Sequence, residues 1–325
     1  YDRGYRNLKD SFDVFETEGL TIASVDNKVS KVKTFTENLK RLPEGYEALQ
    51  RLRKEIFKEF QPDCVITDFE PMTAYLANHY NLPLITIDNQ HRIRYMKYEC
   101  PSYLSKDQFV TETVVRAMVP RPDVSLVTTF YFGETKNDRT FLFPPILRKP
   151  VLELTPSEND HILVYLTSGF ESFIEILPGF KREKFMVYGY DKNEEQGNII
   201  YKPFSRDGFL NDLSSCRAVI ATAGFTLMTE SIYLKKPYLA LPMSGQFEQE
   251  LNGLLLEDVG YGMNLRETRE EVVSAFFYRL PEYREKLMGL PGWDNNLIKD
   301  KLKELLDNNC SLAIEYHKKR TGIED

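Results

Sequence analysis

Cysteine, histidine and long apolar runs are all scarce in this chain, and each scarcity narrows what it can do. The four cysteines, Cys64, Cys100, Cys216 and Cys310, are widely scattered and form no Cys-x-x-Cys pair or Cys/His cluster. That argues against structural zinc and sets the expectation of a reduced, cytoplasmic setting. No stretch approaches the ~20 apolar residues needed to span a bilayer, and no signal peptide is visible. An excess of basic charge is missing too: a net charge of −7 and a pI near 5.4 argue against a protein that wraps nucleic acid. Of the four histidines, His79, His161 and His317 have no partner at motif spacing and are expected to be structural or exposed.

What is present is enough for two ordinary domains: 325 residues, 42% of them hydrophobic, supply real cores. Strand-like pieces are expected at Phe12–Phe15 and Leu20–Ile22, then a helical stretch from about Val29 to Phe60 interrupted at Pro43-Glu44-Gly45. Leu49, Leu52, Ile56 and Phe60, spaced by three and four, predict one buried face. Cys64–Thr67, a helix over 71–80 and Leu84–Ile87 form a βαβ unit, hence a parallel sheet. A helix over 106–118 and β-rich residues 124–132 follow. The proline-rich segment 144–158 reads as a linker, dividing the chain into 1–147 and 148–325. Beyond it, strands at 162–167, 184–190, 197–201, 217–222 and 237–241 alternate with helices near 171–178, 207–215, 226–235, 246–259 and 269–280. That is a doubly wound α/β domain whose ligands sit at the carboxyl ends of its strands. A charged helix over about 295–320 closes the chain.

The most informative block runs from Arg217 to Asn252. A β-branched strand ends in Gly224 and, past Phe225, feeds a helix beginning with Thr226, so unpaired N–H groups and the positive end of the dipole face one point. Such a turn suits a diphosphate, although strand-Gly-helix turns are also commonplace in α/β folds. Glu230 lies roughly 6 Å further along the axis, at ~1.5 Å per residue, the step from a phosphate to a ribose diol. It shares a helical stripe with Leu227 and Leu234, so the acid falls on a buried face and needs a partner or a ligand. Glu248, Gln249 and Asn252, four and three residues apart, can face one cleft and suit a polyhydroxylated ring, or else form a solvated polar turn.

These residues carry a resemblance. Gly224, Glu230, Lys236-Pro237, Pro242 and Glu248-Gln249-x-x-Asn252 resemble the donor-binding segment of GT-B glycosyltransferases that use UDP-sugars. The families nearest in pattern are that of the lipid II-forming N-acetylglucosaminyltransferase and the plant and macrolide UDP-glycosyltransferases. The resemblance implies two Rossmann-like domains with parallel sheets facing a cleft. It also implies Glu230 on the ribose, Thr226 and neighbouring amides on the diphosphate, and Glu248 with Gln249 on the donor sugar. Thr222 stands where many plant-type enzymes carry a phosphate-binding histidine. The resemblance further implies that Ser168 and Gly169 lie in a loop touching the diphosphate and that Lys202–Arg206 cups the uracil with Phe204 packing on the ring. Read without the resemblance, Thr167-Ser168-Gly169 is either a second phosphate loop or an ordinary turn with Ser168 as N-cap, and Phe204 is a core anchor. Members normally open with a strand and a Gly-rich loop, and no such loop is found here; the chain opens on Tyr1, so the first domain is expected to lack that start.

In the first half, Asp68 and Glu70, and Asp88 with Asn89 and His91, follow parallel strands and should reach one sheet edge. They are the candidates for a general base, oriented as an acid–imidazole pair; the alternative is that Asp68 and Asp88 simply cap the segments after them. Ile93–Tyr98 mixes bases with large apolar groups, fitting either contact with a membrane surface and a lipid-linked acceptor or packing on its own domain. Together these readings predict a glycosyltransferase moving N-acetylglucosamine or another hexose from a UDP-sugar co-substrate to a carbohydrate or lipid-linked acceptor. Inversion is expected by the resemblance. No cofactor or metal is expected, there being no Asp-x-Asp pair. The setting expected is cytoplasmic, or the inner face of the membrane. A UDP-sugar hydrolase or epimerase on the same fold, or a non-catalytic nucleotide-binding scaffold, are the rival readings.

Overall fold

The computed structural model describes residues 6, 8–14, 24–25, 28–29 and 42–322. Near the amino end, β1 (Ser24–Val25) pairs antiparallel with β2 (Lys28–Val29), so Val29 opens no helix. Phe12–Val14 form no strand, and Phe15, Leu20–Ile22 and residues 30–41 lie outside the described residues. Helix α1 (Leu42–Leu52) takes Pro43 and Gly45 into its first turn, where a missing N–H costs nothing, so the expected interruption is a helix start. The helix continues as a wider π-type stretch, Arg53–Phe60, ended by left-handed Gln61. That widening shifts the apolar register: Phe57 is buried and Phe60 exposed.

The first sheet is all parallel, ordered β3 (Val65–Thr67), β4 (Leu84–Asp88), β5 (Val124–Thr128) and β6 (Thr140–Phe143). Its connections carry α2 (Pro71–His79), α3 (His91–Tyr95) and α4 (Ser105–Met118). Strand β6 was not anticipated, because its four residues carry no alternation, with Thr140 buried and the other three half-buried at the edge. After α5 (Lys149–Leu152) the chain enters a second sheet of β7 (His161–Tyr165), β8 (Lys184–Tyr188), β9 (Glu194–Gln196), β10 (Ile199–Tyr201), β11 (Ala218–Thr222), β12 (Tyr238–Leu241) and β13 (Gly262–Asn264). Its order is β13-β12-β11-β7-β8-β10-β9, with only β9 antiparallel. Counting the parallel strands in chain order gives 3-2-1-4-5-6, the order of doubly wound dinucleotide-binding sheets. The helices are α6 (Glu171–Ile174), α7 (Arg206–Ser215), α8 (Phe225–Tyr233), α9 (Phe247–Asp258), α10 (Glu270–Tyr278), α11 (Leu280–Met288) and α12 (Asn296–Thr321). Short β9 and β13 were too brief to show a period, and α11 begins directly after α10.

Among the described residues, two apolar clusters tie the halves together. Ile93, Met96, Leu104 and Phe130 from the first half share one apolar cluster with Met228, Phe247 and Leu251 of α8 and α9. Helix α12 returns across the first sheet, where Ile298, Leu305 and Ala313 pack on Ile85, Val124 and Leu126. It breaks at Asp307–Cys310, with Asn308 and Asn309 left-handed, a conformation asparagine tolerates. Fully buried Asp123 anchors its end: the carboxylate accepts from Leu84 N at 2.8 Å, meets His317 Nδ1 at 3.0 Å, and accepts from Arg320 Nε. Asp123→Ala removes the carboxylate that His317 and Arg320 share among the described residues. Urea unfolding is expected to show a loss of about 3 kcal/mol; a loss under about 0.5 kcal/mol would contradict this anchoring.

Candidate functional site

In the second sheet β7 and β11 are neighbours whose crossovers leave in opposite directions, so a crevice opens at their carboxyl ends. Thr167-Ser168-Gly169 leaves β7 there, with Gly169 at φ +99°. The Gly169 N–H donates to both Glu171 carboxylate oxygens, at 2.9 and 2.8 Å. That backbone bond is the main reason the Glu171 carboxyl lies below its ordinary range. The loop holds an anion, supplied by its own chain. Ser168 is exposed and is not the N-cap, a position taken by Phe170.

The β11–α8 turn is open. Gly224 is extended, φ −69° and ψ 134°, and no side chain caps the helix. The first-turn amides of Phe225, Thr226 and Leu227 therefore lack intrahelical acceptors, and Thr226 is exposed. One turn on, Glu230 is 2% exposed, as its stripe with Leu227 and Leu234 implied. Its carboxylate is not free: Arg148, N-cap of α5, grips it with Nε at 2.7 Å and Nη2 at 3.0 Å. Arg148 is 43% exposed along its side chain. Nothing in the sequence marks Arg148 beyond its place in the linker.

Helix α9 divides the three residues expected on the sugar. Glu248 stays half-open, and its Oε1 accepts from Asn89 Nδ2 of the first half at 2.8 Å. Gln249 is held in the preceding turn, accepting from Met243 N at 3.0 Å and donating to Gln246 Oε1 at 2.8 Å. Asn252 does not face the cleft. One turn deeper than Glu248, it is fully buried, donates to Ala223 O at 2.7 Å and accepts from Arg92 Nη2. Its amide braces the turn beside Gly224, and its full burial keeps it out of the cleft.

On the first half's rim, Glu70 caps α2. Its oxygens accept from Met72 N, Thr73 N and Thr73 Oγ1 at 2.8, 2.8 and 2.6 Å, so the expected free carboxylate is a cap. Asp88 accepts from His91 N at 2.8 Å and holds His91 Nδ1 at 2.7 Å. The imidazole is fully buried, stacked on Tyr95 with ring centroids 5.5 Å apart, and its Nε2 has no hydrogen-bond partner. Asp68 is exposed as a residue. Partial desolvation, then the Asp88 charge, hold its carboxyl above the ordinary range. Phe204 is 62% exposed beyond β10, 6.0 Å from the Phe209 ring, a surface platform instead of a core anchor. Among the described residues no three His, Cys, Asp or Glu side chains gather to hold a metal ion, and no helix is long and apolar enough to cross a membrane.

A family model described as Glycosyl transferase family 1 matches residues 1–281. The chain belongs to that family. A glycosyltransferase of Methanosarcina mazei is 25% identical over 292 residues, which is 80% of this chain and 76% of that protein. Another, from Methanosarcina acetivorans, is 25% identical over 263 residues, 72% of this chain and 69% of its own. Among solved structures, the kitacinnamycin glycotransferase aligns at a TM-score of 0.62 and 12% identity, covering 98% of this chain and 89% of its own. A Phytolacca americana enzyme complexed with UDP-2fluoro-glucose and pterostilbene gives 0.54 at 14% identity, covering 93% and 84%. The fold is thus that of a GT-B glycosyltransferase, two Rossmann-like domains, and the family implies a nucleotide-sugar donor and an acceptor. In this glycosyltransferase the Arg148–Glu230 pair is half open to solvent, which screens it. Arg148→Ala is expected to cost about 1–2 kcal/mol in chemical denaturation by leaving Glu230 buried and unpaired. Unchanged stability would show that Glu230 needs no partner.

Proposed function

We propose that this glycosyltransferase takes a UDP-hexose, N-acetylglucosamine being the first sugar to test, and transfers it with inversion and without a metal. The observation that carries the reading is the uncapped start of α8 at the sheet's switch point, with a buried carboxylate one turn in. The diphosphate lies on the Phe225 and Thr226 amides beside Gly224, with Ser168 and the Gly169 N–H joining once Glu171 yields. The ribose hydroxyls bind Glu230 in exchange for Arg148. Phe204 packs on the uracil, and Glu248 and Gln249 border the sugar. The fold's likeness to an enzyme complexed with UDP-2fluoro-glucose supports the uridine donor.

In the reaction the acceptor oxygen attacks the anomeric carbon as its bond to the β-phosphate oxygen breaks, and UDP departs with the electron pair. The acceptor proton goes to a base on the first domain. Of the four candidates, Glu70 is a cap, Asp88 is engaged with His91, and His91 is sealed from solvent. Asp68 is left as the base, and its raised affinity for protons suits the role.

A thermal-shift screen of UDP-, GDP- and dTDP-sugars is expected to show stabilisation by the UDP series. Glu230→Ala should weaken UDP binding by about 1–3 kcal/mol, while Arg148→Ala should tighten it, since no ion pair has to open. UDP affinity that ignores both substitutions would remove Glu230 from the donor site. Turnover should rise with pH through a value above the ordinary carboxylate range, because Asp68 must be ionised to act. Asp68→Asn should abolish that limb and lower kcat on the order of a hundredfold, leaving UDP affinity unchanged. Release of free sugar without acceptor, at the rate seen with acceptor, would instead mark a hydrolase.

A further inference from the structure

Arg92 is the largest fully buried side chain in the protein's described residues, and its charge has no adequate counter-ion. It sits at the second position of α3, just past β4 in the first domain, yet its guanidinium reaches the second domain. Nη2 donates to Asn252 Oδ1, and the same Asn252 donates to Ala223 O, the residue before Gly224. The guanidinium carbon lies 5.0 Å from the centroid of the Phe225 ring, on the first residue of α8. Two contacts therefore place the cation at the helix start that would receive the diphosphate.

The remaining valences of Arg92 are unspent. Nε and Nη1 are buried and have no hydrogen-bond partner. The carboxylate paired with it, Glu248, stands 4.0 Å away, is 35% exposed and already accepts from Asn89. A guanidinium stripped of water costs several kcal/mol unless anions or acceptors meet it. Burial does lower the Arg92 pKa, against the opposing charge of Glu248. A structural strut between domains has no need of charge here, whereas an anion receptor does. Helix-start amides from one domain and a desolvated guanidinium from the other make a two-sided cradle for a diphosphate.

We propose that Arg92, sealed between the two domains in this structure, binds the donor's diphosphate from the first domain through Nε and Nη1 once the domains have parted to admit the donor. Resting on the donor reading above, this makes the first domain a part of the leaving-group site. As the sugar–phosphate bond breaks, negative charge gathers on the β-phosphate oxygen, and a fixed guanidinium stabilises that charge more than it does the ground state. The contact exists only when α3 sits against α8 and α9, so closure of the two domains and leaving-group activation become one event.

Calorimetric titration of the full chain with UDP, UMP and uridine separates this role from a structural one. Wild type is expected to bind UDP more tightly than uridine. Arg92→Met should cost UDP at least about tenfold in affinity, the loss of a charge-assisted contact, while uridine affinity stays within about twofold. Arg92→Lys, which keeps the charge and loses the fork, should fall between. Equal losses for UDP and uridine, or none, would overturn the proposal. Should Arg92→Met fail to fold, the Arg92 Nε–H resonance in wild type, assigned by its absence in Arg92→Lys, should shift with UDP and not with uridine; an equal response to both overturns the proposal. A wild type that prefers another nucleoside diphosphate sinks the uridine reading alone, and the same titrations then run on that diphosphate and its nucleoside. A wild type that binds no nucleoside diphosphate sinks the donor reading and this inference with it.

Discussion

A helix cannot satisfy its own first amides, and in α8 the sequence leaves them unsatisfied at the place where the sheet topology opens a crevice. Gly224 brings the chain into the helix without a capping side chain, and β7 and β11 part on either side. The site's other features depend on that opening. Asn252 braces the carbonyl of Ala223 from below, Glu230 follows one turn in, and Arg92 arrives from the opposite domain. An apolar interface of Ile93, Met96 and Phe130 against α8 and α9 holds these groups in register, so the polar atoms need not supply the adhesion.

The cleft's charges are largely answered from within the chain. Glu171 occupies the Gly169 N–H as a phosphate oxygen would, and Arg148 occupies Glu230 as a diol would. Donor binding on this account is exchange at these two places, where a protein–donor contact replaces a protein–protein contact, while the first amides of α8 start without a partner. A simple anion can displace Glu171 but gains nothing at Glu230, and a free sugar can meet Glu230 only by breaking a bidentate ion pair. Both exchanges together require a molecule with a diphosphate and a ribose at fixed separation.

Much of this was legible in the sequence because the second domain is built from strongly patterned pieces. Buried β-branched strands such as Ala218–Thr222 and helices of ordinary length gave element type and order, and the spacing of Leu227, Glu230 and Leu234 gave the burial of Glu230. What stayed hidden depended on partners far apart in the chain. Arg148 and Glu230 are separated by 82 residues, Arg92 and Asn252 by 160, and no local period encodes either contact. The misplacement of Asn252 has the same origin: helical spacing puts it on a face with Glu248, but how deep the cleft floor lies is set by packing. Glu70 shows the reverse case, where a purely local rule, an acid before Pro71 at a helix start, outweighed the chemistry suggested by its place at the sheet edge.

The central claim is that a donor diphosphate rests on the first turn of α8. Amide hydrogen exchange on the intact chain, with and without saturating UDP, addresses it residue by residue. The account predicts slowed exchange at Phe225, Thr226 and Leu227 and in the Thr167–Gly169 loop. Saturating binding that leaves the amides of 225–227 exchanging at their free rate would contradict it.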